Sequence, residues 1–191
     1  MKSVFLIFLS LLCLAGCAPA ATDAGQSAPT ATIQAGASSA PAESTADTAP
    51  AEKQAETVTV EIVPPEGWTP VEGSVLDVQY LKGTASFMVK PEPFAGATLD
   101  EVVKEAAAIY QSSFDSYAAQ GEAEPLTVDG KDARKLTFTC TVSNIQMKFT
   151  YVYLFAGDQT YVITFGDQKS TFDALSADIG TILNDIRFTV G

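Results

Sequence analysis

The sequence predicts an α+β domain, in which a largely antiparallel sheet of about six strands carries helices packed on its faces. Two observations predict this class. Segments with the two-residue period of strands outnumber segments with the period of helices, and turn signals join them directly. The resulting order over residues 57–191 is β-β-β-α-β-β-β-β-α, which contains no alternation of strand and helix. Such an order favours hairpins and an antiparallel sheet.

The first part of this region contains three strand patterns. Residues 57–63 alternate between apolar and polar side chains until Pro64 and Pro65 stop them. Residues 75–81 and 85–89 flank Lys82-Gly83, which predicts a hairpin, and two further prolines then end the extended run.

The period changes at Thr98, where the first helix is predicted. Thr98 and Glu101 have the spacing of a capping box, in which each side chain accepts a backbone N–H of the other residue. The residues that follow on one face are apolar: Leu99, Val102, Val103, Ala106, Ile109 and Tyr110. We expect this helix to extend to about Ala119.

Several strands and a second helix follow. Asp129-Gly130 predicts a tight type I′ turn, and residues 136–142 then alternate strictly. Residues 145–155 are apolar on both sides, which predicts a strand covered on both faces, and residues 161–165 return as its partner. We expect Ser170 or Thr171 to cap a closing helix with an apolar stripe: Phe172, Leu175, Ile179, Ile182 and Ile186.

Four segments together resemble the PsbP/Mog1-like α/β/α sandwich superfamily. They are Pro64-Pro65-Glu66-Gly67-Trp68, the aromatic segments Phe149–Tyr153 and Tyr161–Phe165, and the closing Ile186-Arg187-Phe188. The resemblance covers residues 57 to 190. It implies a sheet with helices on its faces. It also implies a function without catalysis, because members serve as photosystem accessory subunits, small-GTPase binders or bacterial envelope lipoproteins.

The composition excludes several kinds of chemistry. The chain of 191 residues has no histidine, so it has neither a Ser-His-Asp nor a Cys-His pair and no imidazole metal ligand. Its formal net charge is -12. Residues 57–191 contribute 18 acidic and nine basic side chains, a net charge of -9. This acidic excess disfavours nucleic acid as a partner.

The N-terminus has the features of a signal peptide over residues 1–16. Lys2 precedes an apolar run from Val4 to Leu14, which is too short to span a bilayer. Leu14-Ala15-Gly16-Cys17 resembles the lipobox of bacterial lipoproteins. The resemblance implies that signal peptidase II cuts before Cys17 and that this cysteine carries a diacylglycerol with chains such as palmitate. The alternative is an ordinary secretory signal that happens to contain a cysteine.

Residues 17–56 are predicted to join this cysteine to the domain as a disordered linker. Alanine, serine, threonine and proline dominate the segment, and Ile33 is its only large aliphatic residue. Such a composition buries too little apolar surface to offset the entropy lost on ordering. The domain boundaries predicted from the sequence are therefore 1–16, 17–56 and 57–191.

Three groups of residues are candidates for a site or for the core. Cys140 alternates with apolar residues and is predicted to be a small buried hydrophobe. Trp68 either plugs the end of the sheet, which we favour, or lies exposed as a binding platform. Tyr151, Tyr153 and Tyr161 either pack in the core, which we also favour, or stack on a sugar or peptide.

We expect a lipid-anchored accessory or binding protein on the extracytoplasmic face of the cell membrane. It is predicted to have no catalytic, cofactor or metal site, and its partner would be an envelope protein or a small ligand. One alternative is a surface hydrolase that uses paired carboxylates, since that chemistry needs no histidine. Another is a purely structural envelope protein. A cleft with two converging carboxylates would favour the hydrolase, and an exposed groove rich in tyrosine and tryptophan would favour binding.

Overall fold

The computed structural model describes residues 56–191. The elements in chain order are β1 (Val58–Glu61), β2 (Thr69–Pro70), β3 (Val78–Lys82), β4 (Ala85–Glu92), α1 (Leu99–Ser113), β5 (Asp115–Ala119), β6 (Glu124–Val128), β7 (Lys131–Val142), β8 (Ile145–Ala156), β9 (Gln159–Gln168), a 3-10 helix (Phe172–Leu175), α2 (Ser176–Asp185) and β10 (Arg187–Val190). The predicted signal peptide, Cys17 and all but the last residue of the predicted linker lie outside the described residues.

The main sheet has eight strands, more than the six or so expected from the sequence. Its order is β2-β3-β4-β9-β8-β7-β5, and β6 pairs with the first half of β7. Every pairing is antiparallel. The α+β class and the antiparallel sheet are therefore confirmed. The additional strands are short or irregular segments that gain their pairing from long neighbours.

The first helix is shorter than predicted, because its last predicted residues form a strand. The helix α1 ends at Ser113, where the N–H of Phe114 donates to the carbonyl of Tyr110. Residues 115–119 instead form β5 along the second half of β7. Ser116 takes a left-handed conformation with φ of 54°, and the ring of Tyr117 packs on Phe138 at 5.2 Å. Packing on the sheet thus overrides the helical tendency of this segment.

The C-terminus also differs from the prediction. The closing helix is a 3-10 turn followed by α2, and α2 ends at Asp185. The chain then continues as β10, which pairs with β1 in a separate two-stranded ribbon. The predicted first strand is therefore not part of the main sheet.

The expected side-chain cap of the closing helix is also wrong. Thr171 precedes the 3-10 helix and makes no capping hydrogen bond to it. Its hydroxyl donates instead to Oδ2 of Asp167 at 2.7 Å. Thr84 donates to Oδ1 of the same carboxylate at 2.7 Å, so this buried aspartate holds two loops together.

Two local predictions are confirmed. The N–H of Glu101 donates to Oγ1 of Thr98 at 3.3 Å, and the N–H of Thr98 donates to Oε2 of Glu101 at 3.1 Å, which completes the capping box. Asp129 and Gly130 both have positive φ, 50° and 71°, as a type I′ turn requires.

Each face of the sheet carries one helix and one hydrophobic cluster. We call the face under α1 the α1 face; its buried residues are Leu99, Val102, Val103, Ala106, Tyr110, Leu136, Phe138, Cys140, Phe149, Tyr153 and Val162. The α2 face lies under α2 and the ribbon, and its large buried residues include Trp68, Phe87, Val152, Leu154, Ile163, Phe165, Ile182, Ile186 and Phe188. Neither helix of the described region is long and apolar enough to cross a membrane.

Candidate functional site

Cys140 lies in the core of the α1 face. The residue is 0% exposed, and burial raises the pKa of its thiol to about 11. A thiol with so high a pKa is almost entirely protonated at neutral pH and is a poor nucleophile. The prediction that Cys140 is a small buried hydrophobe is confirmed.

Trp68 plugs the end of the α2 face, as predicted. It is 7% exposed, and its ring meets the ring of Phe87 edge-on at 6.2 Å. Its Nε1–H donates to Oδ2 of Asp178 at 2.9 Å, and the ammonium of Lys82 lies 2.7 Å from the same oxygen. The hydrogen bonds from Lys82 and Trp68 lower the pKa of the Asp178 carboxyl. These contacts make Trp68 a packing residue.

The three tyrosines are also packing residues. Tyr153 and Tyr161 are buried, and Tyr151 is half-buried with its ring edge-on to those of Tyr110 and Phe138. The hydroxyl of Tyr153 donates to Oη of Tyr110 at 3.0 Å. Desolvation raises the pKa values of these two phenols and of Tyr151. The tyrosines singled out from the sequence therefore do not form an exposed groove.

A cleft lies at one end of the sheet, between the β4–α1 connection and the β8–β9 turn. We call it the end cleft; its volume is about 460 Å³. Its lining residues are Pro91, Glu92, Pro93, Phe94, Gly96, Phe155, Asp158, Gln159 and Thr160.

Three strands supply the floor of the end cleft. Glu92 at the end of β4 pairs with Thr160 of β9, and Thr160 pairs with Phe155 of β8. Directly paired residues share a face, so these side chains form one row across the sheet. The ring of Phe94 packs edge-on to Tyr153 at 5.9 Å and anchors the cleft to the core of the α1 face.

The first turns of α1 fix one wall of the end cleft. Oε2 of Glu105 accepts the N–H of Ala95 at 3.1 Å, and Oε2 of Glu101 accepts the N–H of Ala97 at 2.9 Å. Gly96 between them approaches the helix so closely that a Cβ would lie 2.6 Å from the backbone nitrogen of Val102. A side chain at this position would force the wall away from the helix.

Two carboxylates, those of Glu92 and Asp158, line the end cleft, and Lys90 forms an ion pair with Glu92. The Glu92 side chain is only 14% exposed. Desolvation is the main cause of the raised pKa of Tyr110, and the negative charge of Glu92 raises that pKa further. The part of the chain that the structure describes contains no group of three or more acidic, cysteine or histidine side chains placed to hold a metal ion.

Sequence patterns indicated only part of this site. Phe155 belongs to the aromatic side of the strand predicted over residues 145–155, and its exposed fraction of 37% sets it apart from its neighbours. Glu92 and Asp158 carry no motif. They come together because β4 pairs with β9, a pairing between segments far apart in the chain. Pro91 and Pro93 were predicted to end the strand after residue 89, but β4 continues through Pro91 to Glu92 because both residues pair with β9.

The fold is thus an α+β domain with a cleft lined by two carboxylates at one end of its sheet. No protein-family model matches the chain, and a search of curated proteins finds no match. Solved structures are similar to it. The crystal structure of LpqN, involved in cell envelope biogenesis of Mycobacterium tuberculosis, has a TM-score of 0.57 at 11% identity, over 72% of this chain and 87% of that one. At this identity the likeness concerns the fold.

A second similar structure is the solution structure of cyanobacterial PsbP from Synechocystis sp. PCC 6803. It has a TM-score of 0.47 at 13% identity, over 71% of this chain and 93% of that one.

Proposed function

We propose that the protein is an accessory or binding lipoprotein of the cell envelope, without catalytic activity of its own. A diacylglycerol on Cys17 would hold it on the extracytoplasmic face of the membrane. The observation that carries this proposal is the order of three segments: a sequence that resembles a lipobox at Leu14–Cys17, a segment rich in alanine, serine and threonine, and one folded domain.

Two further points support the proposal. Cys140 and Trp68, the reactive and aromatic candidates of the domain, are used for packing. In addition, LpqN, which is described as involved in cell envelope biogenesis, shares the fold. An accessory role needs a surface that a partner recognises, and we propose the end cleft as a candidate for it.

Lipid alone is sufficient for the anchoring. Each buried CH₂ of an acyl chain contributes about 0.8 kcal/mol, and two chains give stable attachment where one does not. The acidic domain, with a net charge of -9 over residues 57–191, gains no attraction to an anionic membrane. Loss of the lipid should therefore release the protein completely.

Labelling with palmitate tests the anchor. The wild-type chain is expected to incorporate labelled palmitate and to sediment with membranes, whereas Cys17→Ala should do neither. Cys13→Ala is the matched control, because it removes a cysteine four residues earlier and should leave the labelling unchanged. Equal labelling of wild type and Cys17→Ala would contradict the proposal.

One observation favours the hydrolase as a second candidate. Glu92 and Asp158, two carboxylates, line the same cleft. A hydrolase would release soluble fragments from dye-labelled peptidoglycan, and Glu92→Gln would abolish that release. The accessory role predicts no release by the wild-type protein.

A further inference from the structure

We infer that residues 49–55 of this chain, the segment that enters the folded domain, bind in the end cleft and cover it. A partner of the kind proposed above would then have to displace this segment, so the inference rests on the proposed binding role and adds a control of access to it. Three observations support it: the place where the chain enters the domain, the reach of the segment, and the residues that form the walls of the cleft.

The chain enters the domain beside the end cleft. Glu56 lies against the turn between β8 and β9, because a Cβ built on Gly157 would be 2.9 Å from Oε2 of Glu56. A methyl carbon of Val58 is 3.3 Å from the same point. The two residues that follow this glycine, Asp158 and Gln159, line the cleft. The segment before Glu56 is therefore joined to the domain at the rim of the cleft.

The segment is long enough to cross the cleft. A compact space of 460 Å³ is about 8 Å across, and an extended chain advances roughly 3.3–3.6 Å per residue, so about three residues span it. Residues 49–55 exceed this length. Because the segment belongs to the same chain, its effective concentration at the cleft is on the order of millimolar, and a weak contact is sufficient for occupancy. A second copy of the protein would need a similar concentration in solution to compete equally.

The walls of the cleft offer apolar contacts to the segment. Pro91, Pro93 and Phe94 line the cleft from the side of β4, and Phe155, which is 37% exposed, lines it from β8. The segment contains Pro50 with an alanine on each side. Segments with proline bind in grooves lined by aromatic rings, because they lose little entropy on binding. A segment that covers Phe155 also removes apolar surface from water.

Charge does not oppose this binding. The segment carries Glu52 and Lys53, one acidic and one basic side chain, so its net charge is zero. In the cleft, the carboxylate of Glu92 is already paired with Lys90. The contact therefore depends on apolar packing and on the connection through Glu56, and it requires no unpaired carboxylate.

Photo-crosslinking of the purified full chain in detergent tests the contact. A photoreactive residue replaces Phe155 in the cleft, and the matched control places it at Ile145, an exposed apolar position outside the cleft. Mass spectrometry of the digested protein maps the crosslinks. We expect position 155 to crosslink to residues 49–55 of the same chain, and position 145 to give no crosslink to that segment.

Limited digestion with trypsin measures how readily the segment leaves the cleft. Lys53 is the only lysine or arginine between residues 3 and 81, so cleavage after it separates the N-terminal part of the chain from the domain. A protease cleaves a bound segment only after that segment has opened. Phe155→Ala should therefore speed this cleavage at least tenfold, and Ile145→Ala should leave its rate unchanged. Emission of Trp68 reports whether each variant is folded.

A variant in the segment itself keeps the test valid if Phe155→Ala does not fold. Pro50→Ser lies outside the described domain and should speed cleavage after Lys53 at least threefold, because the ring that contacts the aromatic wall is lost. Pro29→Ser is the matched control, since it removes a proline of the predicted linker far from the segment and should leave the rate unchanged.

Three results would overturn the inference: no crosslink between position 155 and residues 49–55, crosslinks from position 155 that join two chains instead, or equal rates of cleavage after Lys53 in the wild-type protein and in folded variants of the cleft or the segment. These assays do not depend on the lipid. A protein whose segment covers the cleft but which takes up no palmitate would contradict the anchoring alone. A lipidated protein without the crosslink would contradict this inference alone.

Discussion

The two faces of the sheet are held together by different chemistry. On the α2 face, ionised aspartates join the periphery to the core: Asp178 accepts from Trp68 and Lys82, and Asp129 accepts the backbone N–H of Phe188 at 2.9 Å. On the α1 face, the hydroxyls of Tyr110 and Tyr153 form a buried hydrogen bond, and the ion pair between Lys90 and Glu92 lies at the edge of the face, at the end cleft. The ion pair between Arg134 and Asp100 on that side is largely exposed at its carboxylate.

This difference shows how one small domain stabilises two layers without disulfides in its described part. Aromatic rings fill the α1 face, where a stacked pair such as Tyr110 and Phe138 has its centroids 5.3 Å apart. The α2 face combines aliphatic side chains with a stacked pair of its own, Phe87 and Phe165, whose ring centroids are 5.2 Å apart, and charged groups close its ends. We therefore expect the α2 face to be the acid-sensitive layer and the α1 face the alkali-sensitive one.

The largest expected effect is the loss of a central aromatic ring from either face. Phe138 on the α1 face and Phe87 on the α2 face are both 0% exposed. Phe138→Ala and Phe87→Ala should each lower the free energy of unfolding by about 3–5 kcal/mol, because a cavity adds to the lost burial. Urea denaturation should show a single transition in both variants. A loss below about 1 kcal/mol in only one variant would mean that the two faces are not equally part of one core.

The next largest effect is expected from the carboxylate under Trp68. Asp178→Ala leaves the buried indole N–H without its acceptor and should cost about 1–3 kcal/mol. Because Trp68 is the only tryptophan, its emission should shift to longer wavelength as the plug loosens. Asp173→Ala is the matched control: this carboxylate pairs with Lys148 but is 83% exposed, so its loss should cost about 0–1 kcal/mol. Equal losses of stability in Asp178→Ala and Asp173→Ala would contradict the distinction between the carboxylate under Trp68 and the exposed one.

A smaller effect should appear in the dependence of stability on pH. The pKa values of Asp129 and Asp178 are lowered by the hydrogen bonds they accept, so their contribution is present at neutral pH and is lost as the pH falls through those lowered values. The pKa values of Tyr110 and Tyr153 are raised by burial, so their contribution is present below about pH 10 and is lost as the pH rises further.

Urea midpoints measured across the pH range test this pair of expectations. Asp178→Asn should flatten the acid side of the profile and leave the alkaline side unchanged. Tyr110→Phe should flatten the alkaline side of the profile and leave the acid side unchanged. If both variants alter the same side of the pH profile, it is wrong to assign acid sensitivity to the α2 face and alkali sensitivity to the α1 face.

The last prediction concerns the chemical reactivity of Cys140 and not the stability of the domain. With a pKa of about 11, its thiol should react with iodoacetamide at least about a hundredfold more slowly in the folded protein than in urea. Mass spectrometry after timed quenching measures both rates. Rapid labelling of the folded protein at neutral pH would contradict the burial of this residue in the α1 face.

Elements with a strong local signal were predictable from the sequence. The capping box at Thr98, the turn at Asp129-Gly130 and the alternation around Cys140 are each determined by residues within a few positions of one another. Strands β5 and β10 were not predictable, because each gains its conformation from a partner distant in the chain.

The end cleft was beyond sequence analysis for the same reason. It depends on the register that pairs Glu92 with Thr160 and Thr160 with Phe155. No spacing within a single segment brings those three residues together. The glycine at position 96 was not predictable either, because it is required by close contact with the helix and not by a turn.

Photo-crosslinking in intact cells tests the central claim most directly, namely that an anchored domain presents its end cleft to a partner. A photoreactive residue would replace Phe155 in the cleft, or Ile145 as an exposed apolar control outside it. We predict a discrete protein adduct from position 155 that requires Cys17, and no such adduct from position 145. The absence of any adduct at 155, or the same adduct from both positions, would contradict the account.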